Sequence, residues 1–158
     1  MSKESDYRLM NKQLVALLGD ETNLIANLSN ASALLFENLK NINWAGFYLY
    51  EKSSNELVLG PFQGKVACIR IQIGKGVCGT AFENNRSLIV EDVSQFKGHI
   101  ACDAASQSEI VIPLIINGEK IGVLDIDAPI MSRFDKTDQQ YLELFTEILQ
   151  KNSQPLIY

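Results

Sequence analysis

Two aspartates, Asp125 and Asp127, lie two residues apart in an otherwise apolar segment near the end of the chain. Because side chains alternate across a β-strand, both carboxylates would point to one face while Leu124 and Ile126 point to the other. Two like charges held close together raise the pKa of one carboxyl group. Such a pair can keep one proton for acid catalysis and one negative charge for a cation. The spacing is equally typical of a solvated strand end before Pro129, so both interpretations stay open at this point.

The three cysteines, Cys68, Cys78 and Cys102, form no Cys-x-x-Cys motif, which excludes a thioredoxin-type motif and a standard zinc ribbon. His99, the only histidine, forms His-x-x-Cys with Cys102, but further zinc ligands would have to come from distant loops, so no metal site is predicted. Cys68 lies in a segment with a strand pattern, where a buried cysteine is usually a small hydrophobic residue. Cys78 lies at a predicted helix start, where the helix dipole would lower the pKa of the thiol. Local electrostatics alone therefore favour Cys78 as the better thiolate.

Trp44 and Tyr48 are four residues apart in an aromatic strand pattern and therefore share a face. Aromatic residues at this density most often belong to the core. An aromatic wall beside a carboxylate pair would instead suit a small zwitterion with an apolar side chain.

A glycine pattern, Gly74, Gly76 and Gly79, fits the G-x-G-x-x-G motif of dinucleotide-binding loops. The helix that follows is predicted over residues 77–83, about two turns, whereas a dinucleotide-binding unit has a longer crossover helix and a parallel sheet. Dinucleotide binding is therefore not expected.

The elements that must position these residues follow from hydrophobic periodicity and turn signals. Helices are predicted over residues 6–18 and along an apolar stripe capped by Asp20, and a last helix is predicted to begin at Asp135. The stripe comprises Leu24, Leu28, Ala31, Leu35 and Leu39, and the buried side of the last helix comprises Tyr141, Leu144, Phe145, Ile148 and Leu149. Strands are predicted over residues 44–50, 56–59, 66–73, 87–90, 110–116 and 120–127, with a hairpin turn at Asn117-Gly118 and a long loop over residues 92–108.

Helices followed by a run of strands and a final helix predict an α+β fold. We expect a mostly antiparallel six-stranded sheet with the N- and C-terminal helices on one face. The chain of 158 residues is expected to form a single domain over residues 1–158, with a core at about 20–151.

Charge and apolar patterning exclude several partners. The formal net charge of −5 argues against nucleic acid, and the longest apolar run, residues 110–116, is too short to span a bilayer. Residues 1–12 are polar and charged and contain no apolar stretch, so we expect no secretory signal and a cytoplasmic location, where cysteines rarely form a structural disulfide framework.

Five segments carry a family resemblance: NWAGFY at 43–48, LGPFQGK at 59–65 followed by Ala67-Cys68, GKGVCG at 74–79, GHIACDAAS at 98–106 with SEI at 108–110, and GVLDID at 122–127. In these segments the chain resembles the free methionine-(R)-sulfoxide reductases, which are enzymes built on a GAF domain. The resemblance covers nearly the whole chain and implies a GAF-like fold. It also implies that the chain needs no metal or organic cofactor, and we expect a homodimer that pairs through the terminal helices.

The resemblance implies a role for each cysteine. The Cys102 thiolate would attack the sulfur of free L-methionine-(R)-sulfoxide, release methionine and become a sulfenic acid. A second cysteine, Cys68 in the first place and Cys78 as the alternative, would condense with it to a disulfide that thioredoxin reduces.

The resemblance also implies the substrate contacts. Glu109, Asp125 and Asp127 would line the site, one of them as an acid of raised pKa and the others holding the ammonium group. Trp44 and Tyr48 would enclose the methylthio end. The alternatives from other classes are a GAF-type sensor that binds a small ligand without catalysis and a structural dimerisation module.

Overall fold

The computed structural model describes residues 2–98, 102 and 104–156. Within them the helices are α1 (Lys3–Leu18), α2 (Leu24–Asn38), α3 (Gly76–Asn84) and α4 (Lys136–Asn152), and a 3-10 turn spans Val93–Gln95. The strands are β1 (Trp44–Glu51), β2 (Glu56–Gly64), β3 (Arg70–Gln72), β4 (Leu88–Val90), β5 (Ser108–Ile116) and β6 (Glu119–Ala128). No described helix is both long enough and apolar enough to cross a membrane.

The six strands form one sheet in the order β3-β2-β1-β6-β5-β4, and every neighbouring pair is antiparallel. The β5–β6 hairpin turns at Asn117 and Gly118, whose φ values are 52° and 79°. Positive φ at both central residues is what a tight type I′ turn requires, and Asn and Gly are the residues that adopt it readily. The predicted α+β class and the predicted hairpin are both confirmed.

Alternation along the central strands divides the molecule into two apolar clusters. On one face, which we call the helix face, Phe47, Leu124 and Ile126 join the large core formed with α1, α2 and α4. On the opposite face, Trp44 and Tyr48 join a smaller cluster that packs against α3. The terminal helices therefore lie on one face, as predicted, and the opposite face is left for α3 and the connecting loops.

A buried carboxylate joins α1 to α4. Asp138 is fully buried, accepts hydrogen bonds from the Tyr7 hydroxyl and the Arg133 guanidinium, and forms an ion pair with Lys3. Its side chain also bonds the backbone N–H of Asp135, while the Asp135 side chain accepts from the N–H of Asp138. This reciprocal capping box confirms Asp135 as the N-cap of α4.

Three predicted local features are wrong. Asn23, rather than Asp20, caps α2, because its side chain accepts the N–H of Ala26 while Glu21 bonds the two residues before the helix. Leu144 is 41% exposed rather than buried, since it lies at the edge of the apolar stripe of α4. The sequence predicted a strand that ends at residue 59, before Gly60-Pro61, whereas the observed strand β2 extends to Gly64.

Strand β2 continues through Gly60 and Pro61 because these two residues lie opposite the single residue Phe47 in a bulge. A bulge is one of the few sheet positions that tolerate proline, which has no N–H to donate. The predicted strand 66–73 is also wrong: only Arg70–Gln72 forms β3, and the residues before it form a loop.

Candidate active site

Three carboxyl groups meet on the opposite face of the sheet. Asp125 and Asp127 point to the same side of β6, as alternation predicts, and Glu109 of β5 pairs in register with Asp127. Asp125 is 5% exposed and Glu109 is 8% exposed. The interpretation of the aspartate pair as a solvated strand end is therefore wrong. The antiparallel pairing of β5 with β6 brings together acidic residues that are distant in sequence.

Burial favours the protonated form of the carboxyl groups in this cluster. It raises the pKa of Glu109 well above its ordinary value, and the nearby charges of Asp125 and Asp127 raise it further. Burial also raises the pKa of Asp125, although hydrogen bonds from Glu109, Asp127 and Cys78 oppose that effect. Glu109 is therefore the carboxyl group best suited to hold a proton at neutral pH.

Cys78 lies in the first turn of α3 and its side chain faces these carboxyl groups. Its Sγ atom is 3.9 Å from Oε2 of Glu109, and the residue is buried. Burial raises the pKa of the Cys78 thiol well above its ordinary value, and the charges of Asp125 and Glu109 raise it further. The predicted lowering of this pKa by the helix dipole is wrong, because desolvation, together with the negative charge of the neighbouring acidic cluster, outweighs the partial charge of a helix end.

Trp44 and Tyr48 form the aromatic wall of the site. Their rings stack at 5.9 Å between centroids, and Phe62 stacks on Trp44 at 5.1 Å. Their polar tips bind the loop after β2: Trp44 Nε1 donates to the carbonyl of Lys65 at 3.2 Å, and the Tyr48 hydroxyl donates to the carbonyl of Cys68 at 2.9 Å. Burial, together with the charge of Asp125, raises the pKa of Tyr48, so its hydroxyl stays protonated as a donor.

The loop that these two residues hold carries one half of a disulfide. Cys68 is bonded to Cys102, with their Cα atoms 5.5 Å apart, while Cys78 is free. The disulfide therefore joins the loop after β2 to the long loop before β5. The predicted strand placement of Cys68 is wrong, because side chains of β1 bind this segment where a neighbouring strand would otherwise pair. His99, which was considered as a zinc ligand, lies outside the described residues.

One pocket contains most of the residues that the sequence analysis singled out. Its lining includes Trp44, Tyr48, Cys78, Cys102, Glu109, Asp125 and Asp127. Cys68 is half-buried and reaches the pocket through its bond to Cys102. Ile71, Val77 and Ser106 also line the pocket but were not predicted, although Ser106 lies inside one of the quoted motifs.

The glycine motif serves packing in this fold. A Cβ atom at Gly79 would lie 2.4 Å from the carbonyl oxygen of Gln72, so only glycine lets α3 approach the end of β3 this closely. The first turn of α3 contains Val77 and Cys78, and both side chains reach the pocket.

The site combines three chemical capacities in one enclosed volume. The disulfide between Cys68 and Cys102 joins two thiols that could exchange electrons, a carboxyl group of raised pKa can act as an acid, and further carboxylates can hold a cation. The aromatic wall provides an apolar surface for the rest of a small molecule. An amino acid that carries an oxidised sulfur offers a partner for each of these groups.

Fold and site together define a GAF domain, and a family model described as "GAF domain" matches residues 26–150. The free methionine-R-sulfoxide reductase of Escherichia coli (strain K12) is 53% identical over 151 residues, which cover 96% of this chain and 90% of that protein. The enzyme of the same name from Saccharomyces cerevisiae is 45% identical and is covered to 88%. The chain belongs to the free methionine-R-sulfoxide reductase family of GAF-domain proteins, which confirms the resemblance.

A solved structure agrees with this assignment. The fRMsr of Staphylococcus aureus in complex with substrate superposes with a TM-score of 0.88 at 57% identity. The match covers 92% of this chain and 94% of that one. The fold is therefore shared with a relative whose structure was solved in complex with its substrate.

Proposed function

We propose that this chain reduces free L-methionine-(R)-sulfoxide to L-methionine by thiol chemistry at Cys102. The observation that carries the proposal is the Cys68–Cys102 disulfide beside a pocket lined by Glu109, Asp125 and Asp127. A pair of cysteines that can form a disulfide can deliver the two electrons that sulfoxide reduction consumes. The names of the relatives from Escherichia coli and Saccharomyces cerevisiae support the same substrate.

The proposed reaction begins with the disulfide reduced. The Cys102 thiolate attacks the sulfoxide sulfur, the bond between that sulfur and its oxygen breaks, and the oxygen takes up one proton as it is transferred to Cys102. Methionine leaves with two more electrons, and Cys102 becomes a sulfenic acid. The thiolate of Cys68 then attacks that sulfenic sulfur, which forms the disulfide and releases water. An external dithiol, of the thioredoxin type, reduces the disulfide and is itself oxidised. Cys78 stays an alternative resolving cysteine in this scheme.

The other residues of the pocket position the substrate in this proposal. Glu109 supplies a proton to the sulfoxide oxygen, because burial raises the pKa of that carboxyl group well above its ordinary value and so favours its protonated form. Asp125 and Asp127 hold the substrate ammonium group. Trp44 and Tyr48 enclose the methylthio end, and their hydrogen bonds to the loop after β2 hold Cys68 near Cys102.

The oligomeric state belongs to the proposal as well. We expect a homodimer that pairs through the terminal helices. Support comes from Leu9, Val15 and Leu17, large apolar side chains of α1 that are 52%, 55% and 46% exposed.

The experiment that tests the proposed function has two parts. Steady-state NADPH consumption is measured with thioredoxin, thioredoxin reductase and the free (R) sulfoxide, and methionine release is measured in a single turnover without reductant. Wild type should be active in both assays. Cys102→Ser should be inactive in both, and Cys68→Ser should release one equivalent of methionine but lose thioredoxin-dependent cycling.

Three outcomes would contradict parts of this scheme. A sensor without catalysis would consume no NADPH with the wild-type chain. Single-turnover release by Cys102→Ser at the wild-type rate would exclude Cys102 as the attacking thiol. Full cycling by Cys68→Ser, together with its loss in Cys78→Ser, would assign resolution to Cys78.

A further inference from the structure

We propose that the pocket is also a binding site for a thiophilic divalent cation such as Zn²⁺ or Cd²⁺, held by Cys78, Glu109 and Asp125. The cation would occupy the position that we propose for the substrate ammonium group, and its binding would therefore exclude the substrate. The exclusion rests on the proposed function, whereas metal binding itself does not. The site would be inhibitory and would not be required for folding.

The geometry of the three side chains fits a single ion. One ligand atom from each of Cys78, Glu109 and Asp125 can be chosen so that all three lie within 4.8 Å of one another. Sγ of Cys78 is 3.9 Å from Oε2 of Glu109. A tetrahedral zinc ion separates a thiolate sulfur from a carboxylate oxygen by about 3.6 Å. A shift of a few tenths of an ångström would therefore bring the Cys78 sulfur and the Glu109 oxygen to that separation.

An independent observation points to a missing cationic partner. Oδ1 of Asp125 has no hydrogen-bond partner among the described residues. The residue is only 5% exposed, so water cannot readily take that place, and it lines the pocket. Within the described residues neither Asp125 nor Glu109 forms an ion pair with lysine or arginine. A buried carboxylate oxygen without a donor is costly, and a cation that enters the pocket would relieve that cost.

The donor set decides which cation fits. A thiolate with carboxylates suits Zn²⁺ and its softer analogue Cd²⁺, whereas Mg²⁺ binds oxygen ligands in octahedral geometry. Three protein ligands leave a fourth position open to water, as in zinc sites that are not structural. The ligands come from α3, β5 and β6, three elements that the sheet and its packing hold in fixed relation. Coordination would require loss of the Cys78 thiol proton and so would release protons.

The test uses the disulfide form of the full chain, in which Cys78 is the only free cysteine. Cd²⁺ is titrated while the ultraviolet thiolate-to-cadmium charge-transfer absorption is recorded. We expect a band that saturates at one equivalent and is absent in Cys78→Ser, with release of at least one proton per ion. Asp125→Asn should bind Cd²⁺ about 10-fold more weakly, while Asp135→Asn, outside the pocket, should bind like wild type. Mg²⁺ in excess should not compete.

The results that would overturn the metal site differ from the results that would contradict the proposed reductase activity. Wild type without the band, a band that persists in Cys78→Ser, or binding without proton release would each overturn the metal site. The proton measurement uses only wild type, so the test stands even where a variant fails to fold. Free methionine sulfoxide should weaken Cd²⁺ binding at least 10-fold, and unchanged affinity would overturn the exclusion of substrate. None of these readouts needs turnover, so failure of the reductase assay would be recognised independently.

Discussion

Glu109, Asp125 and Asp127 place three acidic groups around one small pocket, and their chemistry depends on what enters it. Burial raises the pKa of Glu109 well above its ordinary value, which suits an acid, whereas hydrogen bonds oppose the corresponding rise at Asp125, which suits a group that attracts a cation. A free amino acid brings an ammonium group, whereas a methionine inside a peptide brings an uncharged amide. The acidic cluster therefore predicts selection of the free amino acid.

Substrate scope tests that reasoning. We expect kcat/KM for free methionine-(R)-sulfoxide to exceed that for the N-acetylated (R) sulfoxide by at least about 10²-fold, since acetylation removes the ammonium group that the carboxylates need. The (S) epimer should also be a poor substrate, because its oxygen points away from the acid when its sulfur faces Cys102. Rate constants for the free and acetylated compounds within a few-fold of each other would exclude this role for the carboxylates.

The hydroxyl of Tyr48 gives a second prediction at a single residue. Tyr48→Phe keeps the ring stacked on Trp44 but removes the bond to the carbonyl of Cys68. We expect a loss of about 1 kcal/mol in the free energy of unfolding and slower disulfide formation after one turnover, because the loop is held less firmly. Urea unfolding and timed thiol trapping measure the two effects. Tyr50→Phe is the control, since its bond to Asn55 is exposed, and equal effects in both variants would contradict the role of Tyr48.

At the scale of elements, sequence patterns correctly predicted the turns and caps that are determined by contacts between residues adjacent in sequence. The Asn117-Gly118 turn and the cap at Asp135 depend on residues adjacent in sequence, and both were predicted correctly. The extent of β3 depends on hydrogen bonds from Trp44 and Tyr48 to a loop about 20 residues away, which periodicity cannot reveal. That is why the segment around Cys68 was mistaken for a strand.

The candidate site shows the same division. Alternation alone placed Asp125 beside Asp127 and Trp44 beside Tyr48, because these pairs share a strand. The family resemblance alone assigned Glu109 and the role of Cys102 to the site. Glu109 reaches the site through the pairing of β5 with β6, and Cys102 is held there by its disulfide to Cys68. Contacts between distant segments carry no signature in a single sequence.

The junction of α1 with α4 gives a prediction at the same scale. Asp138→Ala should destabilise the chain by about 3–5 kcal/mol in urea unfolding, because it leaves the Tyr7 hydroxyl and the Arg133 guanidinium without their buried acceptor. Asp135→Ala is the matched control and should cost about 1 kcal/mol, since it removes the N-cap and an exposed ion pair with Lys3 that contributes little. Similar losses in the two variants would show that the buried network contributes no more than the cap.

At the scale of the whole molecule, one sheet serves two purposes on its two faces. The helix face buries a large apolar core with α1, α2 and α4, and the opposite face carries the acidic pocket beneath α3. The pocket therefore places ionisable groups inside a structure whose stability comes from the other side of the sheet. Their protonation must then be linked to folding, and the linkage can be measured.

Glu109 determines the sign of that linkage. Its folded-state pKa is raised well above the ordinary value of 4.5, so the folded chain keeps a proton that the unfolded chain releases. The stabilisation is fully present below pH 4.5 and is lost as the pH rises towards the folded-state pKa. Wild type should therefore lose stability relative to Glu109→Gln as the pH rises above about 4.5, as measured by urea unfolding at intervals from that pH upward.

Asp135 supplies the control of opposite sign. Its folded-state pKa is lowered from 3.8, with hydrogen bonds from the Asp138 backbone and Lys3 outweighing burial, so its contribution is present above that value and is lost on acidification. The Asp135→Asn difference should therefore be constant between pH 5 and 8 and should shrink below about pH 4, and only modestly, because the side chain is 62% exposed. A Glu109→Gln difference that is equally flat above pH 5 would mean that Glu109 is ionised in the folded protein. In that case the proton for the sulfoxide oxygen would have to come from another group in the pocket.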